Sequence, residues 1–274
     1  MHTKAIPKVS IITICLNSGK YMESTIQNVR SQTYGNIEYV VIDGGSRDNT
    51  QEILKAHDKK IDYWISEPDK GISDAFNKGV RASTGDIIAF LNSQDYYYHN
   101  EVVARAVQLF SEHPESSIVY GKTCYVPEHS HEIVGVMGIP FTRDGMRKRS
   151  IMPHQSVFVK RSVFERYGLY KLDYRYAMDY EHLLRSTETE HPYFTDEIWA
   201  VMRLGGISDT DKIAVSRELF RAQRECGVPF PRAFGLFVYH SLIVLASKVL
   251  RMFNIYTLYH LFKKIGVGHL EDKT

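Results

Sequence analysis

Cysteine is scarce in this sequence, and neither sign of charge dominates. Its 274 residues include three cysteines, at positions 15, 124 and 226, with no CxxC pair. This argues against a zinc ribbon or a disulfide framework and fits a reducing compartment. Lys and Arg total 34 against 32 Asp and Glu, and a net charge of +2 is not the basic footprint of a nucleic-acid binder. We expect no nucleic-acid partner.

Two phosphate-binding motifs are also missing. The chain contains no GxGxxG, so a dinucleotide-dependent dehydrogenase loses its main support. It contains no GxxxxGK[ST] either, which excludes P-loop chemistry. A nucleotidyltransferase would normally bring a glycine-rich, basic N-terminal loop, and that is absent as well. The chemistry must therefore come from other residues.

No apolar run reaches the roughly 20 residues that span a bilayer. The run at residues 9–16 follows two lysines, as in a short signal peptide, but it lacks a small-residue cleavage site and ends in Asn17-Ser18-Gly19. We interpret it as a first β-strand and expect a cytoplasmic protein.

Near the C-terminus the composition changes. Residues 234–246 form an apolar stretch of about 13 residues, short of a bilayer span. Tyrosines and the basic residues Lys248, Arg251, Lys263 and Lys264 follow it. Such helices suit a seat on the inner-membrane surface. The alternative is a helical pair packed on the domain or on a second copy of the chain, in a homo-oligomer.

What the sequence does contain is an alternation of strand and helix patterns. Buried-strand runs at 9–16, 37–42, 63–66 and 86–92 alternate with helical spacings at 20–32, 50–57, 73–82 and 102–110. Short connections between them predict a mainly parallel α/β sheet with helices on both faces, a Rossmann-like architecture.

The second half is less regular. We predict strands at 118–120, 133–136, 155–159 and 198–204, helices at 162–167, 178–187 and 211–226, and a basic loop at 143–149. The shift in composition divides the chain into a domain at 1–210 and a C-terminal helical extension at 211–274.

Polar signatures follow three of the predicted strands. The first strand ends near Asn17, the second in Asp43-Gly44-Gly45-Ser46, and the fourth in Asn92-Ser93-Gln94-Asp95. In open parallel sheets, ligands bind at the carboxyl ends of the strands, so these segments are the candidate site. A DGGS turn alone is weak evidence, because Asp and Gly populate most surface turns.

Taken together, five segments resemble the family-two glycosyltransferases of the GT-A type. They are VSIITICLN, QTYGNIEYVVIDGGSRDNT, EPDKGISDAFNKGVRASTGDIIAFLNSQD, PHQSVFVKR and MDYEHLLR, in the family's order over residues 8–208. The GGIS at 205–208 is similar to the subset that builds bacterial surface polysaccharides. The resemblance implies transfer of a sugar, with inversion, from a nucleotide-diphosphate donor, UDP favoured, to a lipid-linked saccharide.

The resemblance also implies roles for individual residues. It makes Asp179 the catalytic base and Asp95 the ligand of a Mn²⁺ or Mg²⁺ ion shared with the diphosphate, which suits a hard carboxylate. His154 and Gln155 fall beside the acceptor or diphosphate. The nucleotide-binding set that it implies is Thr13, Asn17, Asp43, Gly44, Ser46, Asp69, Lys70, Gly71 and Gln94.

One position departs from the family, which usually reads NSDD where this chain has Asn92-Ser93-Gln94-Asp95. A Gln94 amide can still hold ribose hydroxyls, but metal affinity falls if both carboxylates are needed. A non-catalytic sugar-nucleotide binder is therefore the alternative hypothesis. His154 is equally compatible with a structural role, and Asp179 with the charged first turn of a helix.

Overall fold

The structure, a computed structural model, describes residues 6–205 and 211–252, with side chains to residue 247. The GGIS residues 206–208 and the basic segment after 252 lie outside the described residues. The described strands are β1 Val9–Cys15, β2 Ile37–Asp43, β3 Tyr63–Ser66, β4 Ile87–Phe90, β5 Tyr96–Tyr97, β6 Ile118–Val126, β7 Gly135–Met137, β8 Val157–Lys160 and β9 Tyr193–Arg203. The described helices are α1 Met22–Arg30, α2 Thr50–Ala56, α3 Ile72–Ala82, α4 Val102–Glu112, α5 Arg143–Lys148, α6 Arg161–Tyr167, α7 Met178–Ser186, α8 Lys212–Glu225 and α9 Phe230–Met252.

The first four strands form the parallel half of one sheet, in the spatial order β3-β2-β1-β4. β1 pairs in parallel with both β2 and β4, and all but one of its residues are buried. A strand covered on both faces has apolar residues in nearly continuous runs, and that is the pattern of VSIITIC. Each predicted strand and helix of the first half is present, and the parallel sheet is confirmed there.

The second half adds antiparallel pairings to this sheet. β8 lies between β4 and β6 and is antiparallel to both, and β6 then pairs in parallel with β9. The short β5, which the periodicity did not predict, pairs with β9 and places Tyr96 opposite Val201. Parallel pairing still accounts for the longer ladders. The result is a mixed, mostly parallel sheet, and β5 brings the end of β9 beside residue 95.

Helices cover both faces of the sheet, as predicted. One face packs apolar residues of α1, α2 and α4, such as Ile26 and Leu54, against β1 and β2. The other packs α3, α6 and α7 over side chains that include Ile12 and Phe90. Burying both faces removes most of the sheet's apolar surface from water, which is the main stabilising contribution to such a fold.

The predicted basic loop at 143–149 is wrong, because residues Arg143–Lys148 form the helix α5. The Thr142 hydroxyl caps it by accepting a hydrogen bond from Gly145 N at 2.9 Å. Met146 is fully buried in the core on the α7 side of the sheet. A single apolar residue among charged ones carries no periodicity, so only tertiary packing reveals this helix.

The C-terminal helices α8 and α9 form an antiparallel pair joined by a short turn at Gly227. Asp211 caps α8 through Ala214 N, and Ala222 of the same helix belongs to the main core. α8 thus shares the core of the first domain, although the division at residue 210 stays a prediction. In α9, Phe237 contacts Phe220 of α8, with ring centroids 5.6 Å apart.

α9 also leaves one side uncovered. Its exposed large apolar residues are Phe230, Phe234, Val238, Tyr239, Leu242 and Leu245. Most are three or four residues apart, so they form a stripe along one face. The window 230–247 is long and apolar enough to cross a membrane by length and composition, and 6% of it is buried. α9 is thus longer than the apolar stretch counted in the sequence.

Candidate active site

The ends of β1, β2 and β3 lie side by side at one edge of the sheet. Cys15 is paired with Asp43, and Asp43 with Ser66, across the parallel ladder. The loops that follow these strands therefore gather at a single edge, as expected for a ligand site of an open α/β sheet.

Asp43 is fully buried, and hydrogen bonds hold its carboxylate on both oxygens. It accepts from Ser46 N at 3.0 Å, from the Ser66 hydroxyl at 2.5 Å, and also from the Ser46 hydroxyl. The Cys15 thiol approaches at 3.6 Å, and burial together with the Asp43 charge raises the pKa of this thiol. A buried carboxylate needs such partners, and here they fix the turn that follows β2.

The loops after β1 and β2 are tied to each other by direct hydrogen bonds. Asn17 N donates to the Ser46 hydroxyl at 2.7 Å, and Asn17 Oδ1 accepts from Arg47 N at 2.9 Å. Asn17 has a positive φ of 50°, a left-handed conformation that Asn tolerates better than most residues. The structure therefore brings Asn17, Asp43 and Ser46 together, as the resemblance implied.

Gly44 and Asp69 meet at the mouth of this cleft. A Cβ on Gly44 would lie 2.7 Å from Asp69 Oδ2, so the absence of a side chain is what allows the approach. Burial raises the pKa of Asp69, although the ion pair with Lys78 opposes the shift. Lys70 is exposed, and Gly71 begins α3 at φ 123°. These residues line the same edge.

Thr13 is the predicted nucleotide-binding residue that the structure does not bring into the cleft. Its side chain is fully buried, its hydroxyl donates to Leu91 O at 2.7 Å, and it accepts from the Tyr39 hydroxyl at 3.1 Å. We therefore withdraw the prediction that the Thr13 hydroxyl contacts a nucleotide directly. Both faces of β1 are apolar, so the sequence could not tell which side Thr13 faces.

Asp95 follows β4 and lies where β5 meets the end of β9. It is 2% exposed and accepts from Arg203 N at 3.3 Å. Burial raises the pKa of Asp95 to about 7, while the Arg203 N–H and the amides of Gln155 and Asn92 act in the opposite direction. Gln155, which the resemblance puts beside the acceptor or diphosphate, is itself buried. Its side-chain amide hydrogen-bonds to the Asp95 carboxylate. Gln94 is half-buried next to it.

This centre offers oxygen ligands to a divalent cation, but few of them. Asn92 Oδ1 is buried and has no hydrogen-bond partner among the described residues, while the N–H of the same side-chain amide hydrogen-bonds to the Asp95 carboxylate. Both are the hard oxygen donors that Mg²⁺ and Mn²⁺ prefer. Within residues 6–205 and 211–252, no group of three or more His, Cys, Asp or Glu side chains converges. The residues fit an ion whose remaining ligands come from a diphosphate.

His154 and Asp179, which the resemblance assigns to the acceptor and to catalysis, lie near each other. The His154 imidazole is stacked on Phe90 at 4.9 Å, and its Nε2 lies 3.1 Å from the Tyr170 hydroxyl. Burial lowers the pKa of His154, and the nearby Asp179 charge opposes this shift. His154 is thus a neutral residue of an aromatic cluster, close to Asp179 and with 8% of its surface exposed.

Asp179 occupies the first turn of α7 and remains partly exposed. A carboxylate is stabilised at this end of a helix by the unpaired N–H groups. Two residues further on, Glu181 is fully buried and pairs with Arg185 and Lys171, each at 2.9 Å. Of the two acids, only Asp179 can reach a substrate.

Two groups near these acids were not found from the sequence. The Arg203 guanidinium lies 5.6 Å from the Tyr21 ring centroid and 5.4 Å from that of Tyr96, beside Asp95. Lys78 forms an ion pair with Asp69 at 2.7 Å. In the sequence, the feature that could have indicated Arg203 is its position two residues before the glycines at 205 and 206.

Comparison with solved structures defines the class of fold. S. aureus TarS residues 1–349 in complex with UDP-GlcNAc matches 84% of this chain and 70% of its own, with a TM-score of 0.64 at 16% identity. The mannosyltransferase PcManGT from Pyrobaculum calidifontis, in complex with GDP-Man and Mn²⁺, matches 95% of this chain and 83% of its own, also at 0.64 and 16%. The fold is that of the GT-A glycosyltransferases.

Sequence comparison gives the family. The model of glycosyl transferase family 2 matches residues 10–168, which is more than half of the chain. An uncharacterized glycosyltransferase of Mycobacterium tuberculosis is 37% identical over 155 residues, 56% of this chain and 58% of its own. A PGL/p-HBAD biosynthesis glycosyltransferase of Mycobacterium bovis is 33% identical over 120 residues, 43% and 47%.

The chain belongs to glycosyl transferase family 2. It spans about half the length of the curated relatives that it matches.

Proposed function

We propose that the chain transfers one sugar from a UDP-sugar to a hydroxyl of a lipid-linked saccharide, with inversion, during bacterial surface polysaccharide synthesis. The observation that carries this proposal is the placement of four carboxylates along one sheet edge. Asp43 ends β2, Asp69 follows β3, Asp95 follows β4 where β5 pairs with β9, and Asp179 lies on α7 close to His154. A donor's nucleoside, diphosphate and sugar would follow each other in that order.

In the donor half of the site, Asp43 and Asp69 recognise the base and the ribose. The Asp43 carboxylate is held in place, so a base N–H would add to or replace one hydroxyl donor. Gln94 contributes an amide to ribose hydroxyls. Support for UDP comes from the TarS complex with UDP-GlcNAc, although the same fold binds GDP-Man in PcManGT.

In the diphosphate half, Asp95 and the Asn92 amide oxygen are the protein ligands for Mn²⁺ or Mg²⁺, with Gln155 beside them. The ion, when bound, neutralises charge that grows on the departing diphosphate. The Arg203 guanidinium lies near Asp95 and adds positive potential there.

In the acceptor half, Asp179 accepts the proton of the attacking hydroxyl. The hydroxyl oxygen attacks the anomeric carbon from the face opposite the diphosphate, and the bond from this carbon to the diphosphate breaks. An α-linked donor therefore gives a β-linked product. His154 is held neutral by burial and shapes the acceptor wall beside Asp179.

The test of this mechanism is Asp179→Asn, which keeps the side chain's shape and removes its basicity. Turnover with a lipid-linked acceptor should fall by about 10²- to 10⁴-fold, while the dissociation constant for UDP stays near wild type. Glu165→Gln, at an exposed position of α6, is the matched control. If Asp179→Asn keeps most of its transfer rate, Asp179 is not the base.

The alternative function is a sugar-nucleotide binder without turnover, and Gln94 is the observation that favours it. An enzyme should slowly hydrolyse its donor in the presence of Mn²⁺ even without an acceptor, whereas a binder should leave the donor intact. Incubating the protein with UDP-, GDP- and dTDP-sugars and measuring free nucleotide separates the two functions and identifies the preferred donor.

We also propose that α9 seats the protein on the cytoplasmic face of the inner membrane. The exposed stripe on α9 supports this proposal. The basic helix α5 supports it as well, because it lies at the start of α9, where Arg232 of α9 pairs with Asp144 of α5. Arg149, which follows α5, adds positive charge close to His240 of α9. Apolar and basic residues on one surface suit anionic lipid.

A further inference from the structure

Lys78 lies at the centre of three carboxylates beside the nucleotide end of the edge. Its ammonium is 2.7 Å from Asp69, 2.9 Å from Glu67 and 3.7 Å from Asp74. It also donates to Pro68 O at 3.2 Å. The lysine side chain is 19% exposed, so these contacts are screened less by water than surface ion pairs are.

The loop that Lys78 holds is anchored at its other end by β2. Glu67 N donates to Asp43 O at 3.0 Å, and the Ser66 hydroxyl donates to the Asp43 carboxylate. The loop from residue 66 to 71 is therefore attached to the sheet at its start and to α3 further along. Between these attachments, Asp69 is presented against Gly44.

We propose that Lys78 is a positioning residue of the nucleotide site, which keeps Asp69 ionised and directed at the nucleoside. This inference rests on the proposed function, in which Asp69 contacts the nucleotide. Lys78 itself is turned toward the loop and three acids, so it acts through Asp69 and not on the substrate.

The charges around Asp69 make it depend on this one cation. Glu67 from its own loop and Asp74 from α3 both raise the pKa of Asp69, in the same direction as burial, and Lys78 lowers it. On β1, Cys15 remains a neutral thiol because burial and neighbouring carboxylates raise its pKa. Removing the Lys78 charge must therefore raise the pKa of Asp69 further, toward neutral pH.

The sign of the pH dependence follows from this shift. If Asp69 must be ionised to accept a hydrogen bond from the nucleoside, the variant loses affinity as the pH falls through the raised pKa. The test is Lys78→Met, with calorimetric affinity for UDP and GDP measured from pH 8 to pH 6. We use the ratio of variant to wild-type dissociation constants, because the ionisation of the nucleotide cancels in it.

For the nucleotide that the wild type binds, this ratio should increase steadily as the pH falls from 8 to 6, by at most tenfold for each unit by which the loss of Lys78 raises the pKa of Asp69. Lys78→Arg should restore a nearly flat ratio. Lys55→Met, at an exposed lysine of α2, is the matched control. A ratio that is the same at every pH, or equal to one, would overturn the proposal.

A second measurement protects the test against loss of folding. In an Asp69→Asn background, Lys78→Met should produce no pH-dependent ratio, because the titrating group is gone. An equal pH dependence in that background assigns the effect to Glu67 or Asp74 and overturns the role of Asp69. A wild type that binds neither UDP nor GDP overturns the proposed function together with this inference.

Discussion

Asp43 has two tasks at the scale of a single residue in the proposed function, since it orders the DGGS turn and would also offer an acceptor to the nucleotide. Its hydrogen bonds reach Ser46 on one side and Ser66 on the other. A side chain with these internal contacts cannot be removed without loosening the turn. Stability and binding must therefore be measured separately in any Asp43 variant.

We predict that Asp43→Ala weakens UDP binding by about 1–3 kcal/mol and lowers the free energy of unfolding by a similar amount. Calorimetry and denaturant unfolding measure the two quantities. Ser66→Ala removes only one of the hydrogen bonds and should leave UDP affinity within about threefold of wild type. UDP affinity unchanged in Asp43→Ala would remove Asp43 from the nucleotide site.

At this scale, some site residues could be predicted from the sequence and others could not. Asp43, Gly44 and Asp95 follow predicted strands, so the topology of a parallel sheet is enough to bring them to one edge. Thr13 lies within a strand whose two faces are both apolar, and its direction is set by packing. Arg203 reaches Asp95 through the pairing of β5 with β9, which no local pattern indicates.

At the scale of elements, α8 completes the start of α7. The Glu218 carboxylate of α8 accepts hydrogen bonds from the backbone N–H groups of Arg175, Tyr176 and Ala177, at 2.9, 2.7 and 2.8 Å. These N–H groups precede the helix that carries Asp179. One carboxylate thus satisfies three consecutive backbone N–H groups, and it fixes the segment from which α7 starts.

We therefore expect Glu218→Ala to lower turnover by about 10- to 100-fold while UDP affinity stays near wild type, since the base loses its position but the donor site does not. Glu218→Gln keeps one acceptor oxygen and should recover part of the rate. Arg217→Ala is the matched control, because it removes a charge from an exposed position of the same helix. Equal loss of turnover in both variants would reduce Glu218 to a general stabilising residue.

The elements of the first half were easier to predict than those of the second. Strand–helix units with short connections repeat there, and β2 pairs in parallel with β1 and β3, the strands before and after it along the chain. In the second half, β6 and β9 pair across about 70 residues, and their register shifts near Lys122. Contacts of that range leave no periodic signal in the sequence.

At the scale of the whole molecule, the helix α9 has two sides with different surroundings. One side of α9 packs on α8 through Phe237 and the fully buried Ala233, and the other side exposes the apolar stripe to solvent. Its 23 residues extend for about 35 Å. An uncovered stripe of this length indicates a partner, either anionic lipid or a second copy of the chain.

The stripe can be tested without deleting any buried residue. In the triple variant Phe234→Gln, Leu242→Gln and Leu245→Gln, each substitution is at a residue at least 46% exposed. We predict that the full chain sediments with anionic vesicles at low salt and that the triple variant stays in the supernatant, with UDP affinity unchanged. Leu172→Gln, at an exposed leucine outside α9, should behave as wild type.

The salt dependence then separates the modes of attachment. A helix lying on the surface, helped by basic residues, should be released from vesicles by high salt, because exposed charges are screened beyond about a Debye length. A helix that crosses the bilayer should resist high salt. If the full chain fails to bind vesicles at low salt while the triple variant changes from dimer to monomer in size-exclusion chromatography, then the stripe is a contact between copies of this chain.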